Sequence, residues 1–146
     1  MIKRFTGDRR GDVWAFLAVA MVFIGLPLAS LTVDVVRGMY VRTHLQVATD
    51  TACQAAADAL DTRAFQSSGA RQIDLSRGRS QAASVFNASL SDAGKVGYTP
   101  SLSVGFPTST RAACEATARI GRVIPLTPPM TAVVSTTSEM RVVLHP

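Results

Sequence analysis

Residues Val13 to Val33, VWAFLAVAMVFIGLPLASLTV, form an uncharged run of twenty-one positions, entered through Arg9-Arg10 and closed by Asp34. At about 1.5 Å per residue, a helix of that length spans roughly 30 Å, the hydrocarbon thickness of a bilayer. The rest of the chain must therefore be read relative to a membrane face. Lys3, Arg4, Arg9 and Arg10 precede the run, whereas only Arg37 and Arg42 follow it closely. Positive flanks stay inside, so the amino terminus is expected in the cytoplasm and the carboxyl-terminal part beyond the membrane. The expected division is a cytoplasmic amino terminus over 1–12, a transmembrane helix over 13–33, a helix extension over 34–61 and an extracytoplasmic domain over 62–146.

The rival reading is a secretory signal cut near Ala29-Ser30, which would release a soluble binding domain. Cutting after Ala29 puts Pro27 three residues before the bond, and the uncharged run exceeds the 7–15 residues of an ordinary signal core. Pro27 and Gly25 are tolerated in a membrane helix. An extracytoplasmic compartment also permits the only two cysteines, Cys53 and Cys114, to bridge. The alternative is two thiols too far apart to meet.

Past the membrane, Val41, Leu45, Ala48, Ala52, Ala55 and Ala59 recur at spacings of three and four, which is one face of a continuing helix. Arg42, His44, Gln46, Thr49, Asp50, Gln54 and Asp58 fill its polar side. Alanine has high helix propensity and lets a neighbouring backbone approach closely. The stripe Leu45, Ala48, Ala52, Ala55 and Ala59 either docks on the chain's own sheet or packs against the same helix of another subunit. Gly38 interrupts the helix just outside the membrane, as a hinge or a close helix contact. Asp34 and Arg37, three apart, share a face there and can pair.

From Thr62 to Ser80 the apolar periodicity lapses, and the stretch reads as a surface loop with a short turn of helix. Gln81 to Leu90 restores helical spacing through Ala82, Val85, Phe86 and Leu90, and Ser91 to Gly94 can end that second helix. Thr99 to Phe106 then alternates, with Leu102, Val104 and Phe106 on one side. Ala113 to Ile124 and the β-branched run Thr131 to Leu144 supply two more strands, separated at Pro125, Pro128 and Pro129. The fold class is α+β, a long amino-terminal helix and a short second one against an antiparallel sheet of about three strands.

The composition argues against several functions. A net charge of +5 comes from basic residues scattered singly from Arg63 to Arg141, without interleaved aromatics, so nucleic-acid binding is not expected. His44 and His145 are the only histidines, too sparse for a histidine-based zinc cluster. There is no phosphate loop, GxSxG turn or CxxC pair, so neither catalytic residues, nor cofactor, nor small-molecule substrate is expected.

The stretch Arg9 to Leu60 resembles the amino-terminal region of the TadE/TadG-like proteins of Tad (Flp) pilus assembly. The matching features are the Arg-Gly entry, the apolar span, an acid within VDVVR at its exit, Tyr40-Val41-Arg42, and the LQxAxDxAxxAAA run from Leu45. A similarity to the family's paired terminal strands extends through CEATARIGRVIPLTPPMTAVVSTTSEMRV. The family's processed, pilin-like members have a glutamate five residues after the glycine at the peptidase cut. Counting from Gly11, that position is Phe16 here, so the resemblance points to an unprocessed TadG-like anchor, with Gly11 a doubtful peptidase site. It implies a non-enzymatic component of the cytoplasmic membrane, whose partners are the membrane and other pilus-assembly subunits or pilins.

Overall fold

The computed structural model describes residues 9–121 and 129–141. Lys3 and Arg4, the prolines at 125 and 128, residues 122–124 of the second expected strand, and everything beyond Arg141, His145 included, lie outside the described residues. The chain divides into two compact units, 1–37 and 38–146.

Helix α1, Arg9–Ala57, runs through 49 residues and continues past Pro27. In the first unit its apolar side chains face outward; Trp14, Phe23 and Leu26 are each more than 60% exposed. Ser30 and Thr32 donate their hydroxyls back to the carbonyls of Pro27 and Leu28, both at 2.9 Å, so neither polar group is left unmade on this apolar helix. Asp34 is buried, and its Oδ2 has no hydrogen-bond partner among the described residues.

The second unit is built on residues 38–57 of α1. Strands β1 (Tyr98–Thr108), β2 (Arg111–Ile120) and β3 (Met130–Glu139) form an antiparallel sheet in the order β1-β2-β3. The three-stranded α+β domain follows the periodicities of the sequence. The inward side chains of β2 are Ala112, Cys114, Ala116, Ala118 and Ile120, and the facing residues of α1 are Val41, Leu45, Ala48, Ala52, Cys53 and Ala56, all buried. Small residues on both surfaces leave little side-chain bulk between them, so this contact is tight. Thr49, expected on the polar side, is fully buried; its hydroxyl donates to the Leu45 carbonyl at 2.6 Å, which satisfies it inside the helix.

The loop expected over 62–80 holds more helix than its apolar pattern indicates. Asp61 caps α2 (Thr62–Ser68) by accepting from the amides of Arg63 and Ala64, and Gly69 closes it in a left-handed conformation at φ 67°. Asp74 caps α3 (Leu75–Ser89) by accepting from Ser76 and Arg77, so this helix starts six residues before the expected Gln81. Its buried residues are Gly78, Ala82 and Phe86, with Leu90 at the cap, while Val85 is only half-buried. A Cβ on Gly78 would lie 3.0 Å from both the Ala56 carbonyl oxygen and the Phe106 ring, which explains glycine in the middle of this helix. One turn of helix, α4 (Ala93–Val96), occupies the expected stop before β1.

Candidate membrane anchor and interaction surface

Of the residues singled out in the sequence, Leu45, Ala48, Ala52 and Ala59 are buried in the domain's own core, and Ala55 is half-buried. Leu45, Ala48 and Ala52 thus belong to the core that packs on the chain's own sheet in this single chain, whereas the helix ends at Ala57 and Ala59 lies two residues beyond it. Gly38 lies within α1; a Cβ there would meet Met130 Cε at 3.6 Å, an ordinary contact, so no close approach requires glycine. Gly11 falls in the first turn of α1. Cys53 on α1 and Cys114 on β2 are joined as a disulfide, with their Cα atoms 5.7 Å apart.

The helix and sheet share a direction. The Gly38 end of α1 lies beside Met130, at the start of β3, and Ser138 Oγ donates to Gln54 Oε1 at 2.7 Å, near its end. Sixteen residues of helix and eight of strand each cover about 25 Å, so the two elements run side by side with matched polarity.

Near the Gly38 end, Tyr40 and Tyr98 both donate to Asp92, at 2.8 Å to Oδ2 and 3.1 Å to Oδ1. The His44 ring lies against that of Tyr40, centroids 4.1 Å apart. Asp92 precedes α4 but makes no side-chain cap for it, because its carboxylate is taken by the two hydroxyls. The Tyr40 bond, followed by that from Tyr98, holds the Asp92 carboxyl below its usual range against partial desolvation. Burial, reinforced by the bond to Asp92, pushes the Tyr98 phenol up to about 12. This contact, between residues 52 apart, joins α1 to the α4 turn and had no local signature in the sequence.

The opposite face of the sheet is uncovered by any described element. It presents Thr99, Ser101, Ser103, Thr117, Ser135 and Thr137, with Glu115 between Ser103 and Ser135 in register. A shallow depression forms where Gly105 and Ala113 offer almost no side chain. Arg111 pairs with Glu139 at one margin. Among the described residues, no three His, Cys, Asp or Glu side chains group to hold a metal ion.

Helix α1 is long and apolar enough to cross a membrane, and none of its most apolar stretch is buried. Residues 13–59 match the family model described as "Putative Flp pilus-assembly TadE/G-like". No curated protein and no solved structure matches the chain. The matched residues run from the first apolar position of α1 through the alanine face that packs on the sheet, and over this segment, about a third of its length, the chain is similar to the Flp pilus-assembly TadE/G-like family.

Proposed function

We propose that this protein is a single-pass, non-enzymatic component of Tad pilus biogenesis, closest in kind to the TadG-like anchors. Val13–Val33 holds it in the cytoplasmic membrane with the amino terminus inside, and the domain from Gly38 onward stands outside to meet other assembly subunits. The observation that carries this reading is α1 itself: one helix has a wholly exposed apolar half and a half whose small-residue face is the core of a folded domain. The apolar half has no use in water, since side chains such as Phe23 and Leu26 each lose roughly 1.5–3 kcal/mol of burial if left exposed. The work of such a protein is positional.

The Cys53–Cys114 bridge fits an extracytoplasmic domain, because disulfides persist in oxidising compartments. Phe16 in place of an acid supports an unprocessed anchor over a cleaved pilin. Deleting the protein from its own host tests the reading: pili should be lost or strongly reduced and restored by the full-length chain. Unchanged piliation would overturn it.

A further inference from the structure

The bridge and the core around it depend on each other. Cys53 and Cys114 are 0% and 2% exposed, and they join α1 to the central strand β2 across a sequence separation of 61. The surfaces beside them are short of bulk, for among the described residues nine of the eighteen in the buried cluster are alanine, each of which brings a single methyl group. Side-chain hydrogen bonds tie this part of α1 to the rest of the domain near its two ends, Tyr40 to Asp92 at an exposed site and Ser138 to Gln54 at a half-buried one. Closing a loop of this length in advance shifts the balance between open and closed chain by roughly a thousandfold, a larger factor than the burial of any one of these side chains supplies. Without the bridge, the sheet is held on the helix by little.

Burial also fixes when the bridge can form. Thiol–disulfide exchange requires a thiolate to reach a sulfur atom, and neither sulfur is accessible while the core is closed. The bond must therefore be made while the sheet is still off α1, and once the core has closed, a reductant can act only on a domain that has opened again. Cys53 is synthesised 61 residues before its partner, so an open stage precedes the bridge in every copy.

We propose that oxidation of Cys53 and Cys114 is the step that commits the domain to its fold, carried out on the open chain by an oxidised dithiol–disulfide protein of the extracytoplasmic compartment. The inference rests on the extracytoplasmic placement proposed above. One cysteine, as its thiolate, attacks the incoming disulfide and forms a mixed disulfide, while the oxidant's second sulfur leaves as a thiolate. The other cysteine then attacks the mixed disulfide at the chain's own sulfur, the Cys53–Cys114 bond forms, and the oxidant departs as a dithiol that holds the two electrons and two protons given up by the chain. Before this step the sheet moves free of α1. After it, the sheet is fixed there and the bond is sealed beneath it.

The test uses the full-length chain purified in detergent and follows trypsin cleavage at Arg119, which lies inside β2 and is cut only when the sheet opens. The oxidised chain should be cut there at least tenfold more slowly than the reduced chain, and than a Cys53→Ala/Cys114→Ala chain, which has no thiol to react again. Dithiothreitol should break the bridge at least tenfold more slowly in the folded chain than in the same chain in urea. In the host, dithiothreitol given before synthesis should leave both cysteines open to a maleimide, whereas the same dose given after synthesis should leave them blocked. A reduced or double-alanine chain as resistant at Arg119 as the oxidised one would overturn the proposal, as would a bridge reduced equally fast in the folded and unfolded chain. Free thiols in the chain recovered from untreated cells would overturn it together with the extracytoplasmic placement, so the two failures are distinguishable.

Discussion

At the scale of single residues, the Tyr40–Asp92–Tyr98 contact ties the stability of the domain to pH at both ends of the scale. Asp92 has a lowered folded pKa, so its contribution is present above the unfolded carboxylate value near 4 and is lost as pH falls through the lower folded one. Tyr98 is the reverse case. Its raised folded value means that its contribution is complete below about pH 10 and is lost as pH rises from there towards about 12. Tyr98→Phe should cost about 1–2 kcal/mol at neutral pH through the bond to Asp92. It should also remove the tyrosine's share of the alkaline loss, which thermal melts between pH 7 and 12 measure directly. The cysteine pair is the other residue-level determinant. Its sequence separation is 61, for which loop-closure entropy gives about 4 kcal/mol. Replacing Cys53 and Cys114 together with alanine should lower the denaturation midpoint accordingly, and a reductant should affect only the parent protein.

At the scale of elements, the contact between α1 and the sheet depends on alanine. Ala116 is fully buried at the centre of β2, between Leu102 and Val134 in register. Ala116→Leu should destabilise the domain by about 1–3 kcal/mol, because the added carbons have no space to enter. A melt that rises would show that the two surfaces are farther apart than described. The elements also show what their sequences disclose. The alternation in β1 and β2 and the three-four spacing of α1 were legible because each has one buried face, so burial is written as period. The α2 segment and the first turns of α3 bury almost nothing but Gly78, and periodicity therefore passed over them. Their available signal was polar: Asp61 and Asp74 each precede a helix start, and each accepts two amides there. Thr49 misled for a related reason, since a hydroxyl that bonds its own helix can be buried like a methyl group.

For the whole molecule, a helix long and apolar enough to cross a membrane was plain from the sequence, because lipid imposes a requirement of length and charge that few soluble segments meet. The outermost strands were not. Which strand lies outermost follows from the order β1-β2-β3, and strand order depends on contacts far apart in the chain. Pro100 was visible as a residue, but only the register shows that its nitrogen points away from β2. The central claim is that α1 stays whole in the mature protein, with Val13–Val33 in lipid and the rest of the helix at the core of the outer domain. The most direct test is the intact mass of the protein recovered from its host's cell envelope. The account predicts a membrane-bound species that retains residues 13–33 and is two hydrogen atoms lighter than its reduced form, whereas a freely soluble species beginning after Ala29 would contradict it.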